Sequence, residues 1–232
     1  MRTTLAAAAL GLAATAGWLT ARHTYRTRLA DARHSATHDP LTGALNRAGL
    51  LADADRLIDA AARERRPVVV ALVDLVGFKA VNDRHGHDAG DHILTTIAAR
   101  LAGIAGPAGL ASRLGGDEFA IVTTGPAPRL ADADVWLAGW LPHIHARLTT
   151  PVTHHGQPLA VGATIGAALA DPGQPIGVWL STADRAMYAA REQRTTTAVA
   201  APADQTPASR PGVRVRDLAR PTSRLAAVRL AA

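Results

Sequence analysis

The chain has 232 residues, a formal charge of +6 and no cysteine. That length allows one sizeable domain with extensions, and the lack of thiols excludes a disulfide framework, thiolate catalysis and cysteine-based zinc sites. Positive charge is concentrated at the ends, with five arginines against Asp31 before residue 36 and six against Asp204 and Asp217 after residue 195. The middle is slightly acidic and poor in aromatics, so nucleic acid is not an expected partner.

Residues Thr3 to Ala21 form an uncharged, Ala/Leu-rich run of near-spanning length. A signal anchor, a cleaved signal peptide and a soluble alanine-rich helix all fit that composition. One arginine precedes the run, while Arg22, Arg26, Arg28 and Arg33 follow it. This asymmetry favours a single-pass anchor in the cytoplasmic membrane with the C-terminal bulk in the cytoplasm. Domain bounds follow as 1–21 for the anchor, 22–38 for a polar helical connector, 39–195 for the folded domain and 196–232 for a disordered Pro/Arg tail.

Asp39-Pro40 breaks the connector. A helix is expected over Asn46–Arg65, from the spacing of Leu50, Leu57, Ile58 and Ala61. "PVVVALVDL" (Pro67–Leu75) is nearly continuous and β-branched, which predicts a strand buried on both faces. Residues Leu75–Ala80 read as a loop. A helix follows over Asp88–Gly103, then a hairpin turning at Gly115-Gly116. Further expectations are a helix over Leu130–Leu148, a strand over Leu159–Leu169 and a helix from Ile176 to about Arg194. The order α-β-α-β-β-α-β-α describes an α/β fold around one mixed sheet.

The strand from Pro67 carries Asp74 near its end, where a carboxylate is costly unless paired or bound to metal. The hairpin tip adds Asp117 and Glu118. If the hairpin lies beside that strand, three carboxylates converge, and a hard divalent cation with oxygen ligands relieves their repulsion. No G-x-x-x-x-G-K-[ST] or G-x-G-x-x-G motif occurs, which excludes a P-loop and a dinucleotide-binding turn. Lys79 is the only lysine in an arginine-biased chain, which marks it as needed. His85, His87 and His92 lie near Asp88 and Asp91 in sequence, but a turn-stabilising hydrogen bond at His87 outweighs a zinc reading there. His154-His155 falls in a hairpin with no assigned role.

"RLGGDEF" (Arg113–Phe119) resembles the signature of the GGDEF family, the diguanylate cyclases. "DPLTGALNR" (Asp39–Arg47), "VDLVGFKAVNDRHGHDAGD" (Val73–Asp91), "ATIGAAL" (Ala163–Leu169) and "ADRAMYAAR" (Ala183–Arg191) resemble its other motifs in order. The resemblance implies a palm-like βααββαβ sheet and the joining of two GTP into cyclic di-GMP, with Mg²⁺ or Mn²⁺ and a homodimer of half-sites. By position it makes Asp74, the Leu75 carbonyl, Asp117 and Glu118 the metal site, with Asp117 and Glu118 catalytic. Asn82 and Asp91 take the guanine edge. Gly77, Phe78, Lys79, Gly115, Gly116 and Arg191 line the rest of the GTP site.

Four positions depart from the family pattern. Val76 replaces the second aspartate of D-x-D. "GPAG" (Gly106–Gly109) replaces the R-x-x-D product-inhibition motif, so an allosteric product site is expected to be absent. The last helix has Arg191 and Thr195 where lysine and arginine grip the triphosphate. "RTT" replaces its G-R-N ending. A degenerate module that binds GTP or a protein partner is therefore the alternative to an active cyclase.

Overall fold

The computed structural model describes residues 34–125 and 133–200, together with Trp18, 21–28 and 31–32 of a preceding helix. That helix, α1, is helical at 18, 21–28, 31–32 and 34–37 and ends before Asp39-Pro40. Most of the run read as an anchor, and the tail beyond Ala200, lie outside the described residues. Among the described residues, no helix is long and apolar enough to cross a membrane.

Among the described residues, five helices and seven strands follow: α2 (Arg47–Arg63), β1 (Val68–Val76), α3 (Phe78–His85), α4 (His87–Ala105), β2 (Leu110–Gly115), β3 (Glu118–Thr124), α5 (Ala133–Thr149), β4 (Val152–His154), β5 (Gln157–Leu159), β6 (Gly162–Ala170), α6 (Ile176–Glu192) and β7 (Thr197–Val199). The main sheet has the order β2-β3-β1-β6-β7, and β4-β5 form a separate hairpin. All main-sheet pairings are antiparallel except β6 with β7. The mixed α/β sheet flanked by helices agrees with the expected fold class.

The central position of β1 explains its unbroken apolar sequence, because successive side chains point to opposite faces and both faces are covered. Val69, Ala71, Val73 and Leu75 join one core with Ile93, Ile97 and Leu101 of α4 and Leu137, Leu141 and Ile144 of α5. Val68, Val70 and Leu72 join the other with Leu50 and Ile58 of α2 and Trp179, Leu180, Ala183 and Met187 of α6. Gly166 of β6 lets α6 lie close, since a Cβ there would meet the Ala183 carbonyl and the Met187 amide. Pro175, the N-cap of α6, supplies no side-chain cap, and Asp55 of α2 accepts the Ile176 amide at 2.8 Å instead. This bond fixes where α6, and so Arg191, begins its run.

Three expectations are corrected. The stretch Leu75–Ala80 is not a loop: β1 continues to Val76 and α3 begins at Phe78. The strand expected over Leu159–Leu169 is divided between β5 and β6, with Ala160 and Val161 between them. The tail does not begin at Thr196, since Thr197–Val199 pair with Ile165–Ala167 of β6. The start of the helix expected from Leu130 lies outside the described residues, and the helix is described over Ala133–Thr149.

Candidate active site

The hairpin between β2 and β3 turns through Gly116 and Asp117, with Gly115 opposite Glu118. Gly115 and Gly116 take φ of 146° and 58°, values that side chains resist. β3 pairs with β1 in a register that sets Asp74 directly opposite Glu118. Residues opposed in this way share a sheet face, so the two carboxylates project to the α2/α6 side. The Leu75 amide donates to the Asp117 carbonyl at 3.3 Å, joining the end of β1 to the hairpin tip. The three sequence-predicted carboxylates and Leu75 thus meet at one end of the sheet.

Their electrostatics show the strain of that meeting. Burial pushes the Asp74 carboxyl up, and Asp117 adds to the push. Arg191 opposes both, with Nη2 at 2.7 Å from Asp74 Oδ2. Desolvation also raises Glu118, followed by the charge of Asp74; Arg47 pulls it down, while Asp117 and Asp184 push it further up. A set of oxygen ligands that repel one another in this way fits a divalent cation of the Mg²⁺ type.

α3 begins immediately beyond β1. Gly77 holds φ 83° and gives α3 no side-chain cap, so the first amides of the helix lack an intrahelical partner. Such an N-terminus favours phosphate oxygens. Asn82 on α3 faces α4, where a Cβ on Gly90 would collide with its Oδ1. Asn82 Oδ1 is buried without a hydrogen-bond partner. An orphan amide oxygen costs energy until a donor reaches it or the amide turns, which suits a group reserved for a ligand. Asp91, the residue after Gly90, is exposed on α4. Lys79 turns outward: its Nζ lies 2.9 Å from Asp83, with side-chain exposures of 86% and 64%. A pair that open to water is worth little, and nothing in the structure draws Lys79 toward the carboxylates.

Several residues at the site had no role assigned from sequence. Arg113 donates from Nε and Nη2 to the Gly116 carbonyl at 3.0 and 2.8 Å, and from Nη1 to both Asp39 oxygens at 3.1 and 3.2 Å. Asp39 also accepts the Thr42 hydroxyl and amide. Burial pushes Asp39 up, but Thr42 and Arg113 outweigh it and hold the carboxyl below its ordinary range. The glycine turn is therefore riveted to the turn after α1. Both residues belong to recognisable motifs, but their contact spans 74 positions. Asp184 and Arg47 line a pocket with Glu118, Leu72, Leu180 and Met187. Burial raises the Asp184 carboxyl against Arg191 and Arg185. The available signal was an aspartate on the same helical face as Leu180 and Met187.

α6 ends at Glu192 in a Schellman turn. The Thr195 amide donates to the Ala190 carbonyl at 2.9 Å and the Arg194 amide to Arg191 at 3.2 Å. Arg194 occupies the left-handed position at φ 55°. Thr195 then leads into β7, its hydroxyl donating toward the Ala190 and Thr197 carbonyls. The helix thus ends before Thr195, so Thr195 is not a further position on the Arg191 face. Gly106 caps α4, and Gly109 follows in the turn to β2, a stretch with no charged side chain.

Comparison with known proteins bears on the fold and the family. Residues 36–197 match the family model described as diguanylate cyclase, GGDEF domain. The chain is 36% identical over 162 residues to the diguanylate cyclase TpbB of Pseudomonas aeruginosa, covering 69% of this chain and 36% of TpbB. It is 39% identical over 163 residues to a signaling protein of Caulobacter vibrioides, covering 69% of this chain and 19% of that protein. The coiled coil and GGDEF domain of DgcB from Caulobacter crescentus, solved in complex with c-di-GMP, superposes with a TM-score of 0.68 at 26% identity. That match covers 81% of this chain and 98% of the DgcB chain.

Proposed function

The chain belongs to the diguanylate cyclase GGDEF domain family, and we propose that it condenses two GTP into cyclic di-GMP, releasing two pyrophosphates. The observation that carries this reading is the convergence of Asp74, Asp117 and Glu118 on one sheet end, beside the uncapped start of α3. Mg²⁺ or Mn²⁺ would be held by those carboxylates and the Leu75 carbonyl. When bound, the metal lowers the pKa of the attacking hydroxyl and neutralises the departing pyrophosphate.

The chain's own groups do the rest. Asp91 accepts the guanine N1–H and N2 amine, while the Asn82 amide both donates and accepts. A site matched to guanine in this way rejects adenine. The amides at Phe78 and Lys79 receive phosphate oxygens, and Arg191 leaves Asp74 to grip the triphosphate. The Asp117 carboxylate takes the proton of the 3′-hydroxyl, whose oxygen bonds to the α-phosphorus of the second GTP as the bond to pyrophosphate breaks. Each domain holds one GTP, so two copies face each other, and the two bonds close the ring. Residues 3–21 anchor the chain in the cytoplasmic membrane, with the domain on the cytoplasmic side. Release of a chain lacking those residues into the soluble fraction tests the anchor.

One observation favours a second reading, a non-catalytic module. Arg191 is committed to Asp74 in the free protein, and Thr195 adds no cation beside it. Incubating the full chain with GTP and Mg²⁺ and separating the nucleotides by chromatography discriminates the two. Cyclic di-GMP that disappears with Asp117→Asn supports the cyclase. GTP binding without product supports the module.

A further inference from the structure

We propose a second metal site, distinct in chemistry from the carboxylate cluster, at Asp88, His154 and His155. The structure brings together residues 66 positions apart: the first turn of α4 and the tip of the β4–β5 hairpin. Asp88 Oδ2 lies 3.4 Å from His154 Nε2 and 3.9 Å from His155 Nε2. One ligand atom from each of the three residues falls within 4.8 Å of the others. Charge-assisted hydrogen bonds are shorter, about 2.7–2.9 Å. Ligands bound about 2.0–2.1 Å from a tetrahedral zinc ion stand roughly 3.3–3.5 Å apart. The Asp88–His154 separation therefore suits two ligands on one ion, and the more distant His155 would close in by about half an ångström to complete the set.

The surroundings hold His154 in place, whereas His155 and Asp88 stand open to water, with 83% and 85% of their side chains exposed. His154 is mostly buried, with 16% of its side chain exposed, and its ring lies 5.3 Å from that of His92. His92 Nε2 lies 3.1 Å from the Thr153 carbonyl, tying α4 to the hairpin. His155 keeps φ 47°, and its ring meets His154 edge-on at 4.2 Å. Two imidazoles with one carboxylate select Zn²⁺ or a similar borderline cation over Mg²⁺, and three protein ligands leave a position for water. The positive end of α4 opposes a cation here, a cost the coordinate bonds must exceed.

The test is competition of Zn²⁺ against a chromophoric chelator, using the full chain without a histidine tag, in excess Mg²⁺. One zinc should be retained per chain. His155→Asn suits the left-handed backbone, because asparagine tolerates that conformation, and Asp88→Asn is isosteric. Each should weaken zinc binding tenfold or more while leaving the metal-free protein folded, with Asp88→Asn melting slightly lower for the charge it removes from the start of α4. His34→Asn, which breaks the stacked His34–His38 pair on α1, should bind zinc as the parent does. Failure of the parent to retain zinc, unchanged affinity in both hairpin-site variants, or loss of zinc in His34→Asn alone would each overturn the site.

Discussion

The two ends of the proposed GTP site are built differently. The carboxylate end is set by sheet register: Asp74 and Glu118 are opposed by backbone pairing, and Arg113 locks the glycine turn from behind. The cation of the phosphate end hangs on the last turn of α6, where Arg191 reaches across to Asp74 and the chain then turns away through a left-handed arginine. Groups fixed by a sheet are costly to move and keep their geometry while sequence around them changes. Groups at a helix terminus depend on a few local bonds, and two of the four departures from the family pattern, Thr195 and the "RTT" ending, fall there; Val76 is the one at the carboxylate end. Preorganisation belongs to the first end and adjustment to the second.

Substitutions can break this contrast. The largest effect is expected from Asp117→Asn. Removing a carboxylate proposed to hold the metal would forfeit several kcal/mol of transition-state stabilisation, about a thousandfold or more in rate. Product formation should vanish while circular dichroism stays unchanged, and retained Mg²⁺-dependent turnover would sink the assignment. Next is Arg113→Ala. Its ion pair with Asp39 is only 13% and 18% exposed, and breaking a buried pair from one side costs about 3–5 kcal/mol. Denaturant unfolding should show a loss at the lower end of that range, and a loss under 1 kcal/mol would mean the rivet is ornamental. Arg191→Ala should raise the Michaelis constant for GTP about tenfold, since a hydrogen bond to a charged group is worth about 1.5–3 kcal/mol. An unchanged constant would leave the triphosphate to backbone amides and metal.

Arg194→Gly acts in the opposite sense. The left-handed position penalises a side chain by about 1–2 kcal/mol, partly offset by the greater unfolded-state entropy of glycine. A gain of up to about 1 kcal/mol is expected, with the Michaelis constant unmoved. A raised constant would instead show that Arg194 supplies the missing cation. The smallest effect concerns pH. Glu118 titrates above its ordinary value of 4.5, so its ionised form destabilises the metal-free fold. That cost is absent below 4.5 and complete above the folded value. Acidification from neutrality should therefore stabilise the metal-free protein through this window, and Glu118→Gln should reduce the response and melt higher at pH 7, with the raised Asp74 and Asp184 supplying the remainder. Below 3.8 the sign reverses, because the depressed Asp39 protonates and its bonds are lost.

What the sequence made legible, and what it hid, follows from the range of the forces involved. The runs of β1 and β3 and the glycine turn are local patterns, and they were enough to bring Asp74, Asp117 and Glu118 together. α3 was hidden because it is eight residues long and predominantly polar, with a glycine N-cap and no side-chain cap. β7 was hidden in a Pro/Arg-rich stretch because three residues carry no readable period. The Arg113–Asp39 rivet and the Asp88–His154–His155 cluster join distant segments, so no spacing rule could announce them. Lys79 stands apart from the carboxylates, with its ammonium beside Asp83 in solvent.

The short strand β7 bears on how the domain can be cut. Residues 197–199 cover the outer edge of β6, with the Ala200 amide donating to the Ala167 carbonyl at 2.8 Å. A truncation at Thr195 would strip that cover and leave a nine-residue apolar strand, "GATIGAALA", with its hydrogen-bonding edge bare. Exposed apolar edges template pairing between chains. A fragment ending there should self-associate as concentration rises, whereas one carried through Ala200 should remain dispersed under the same conditions.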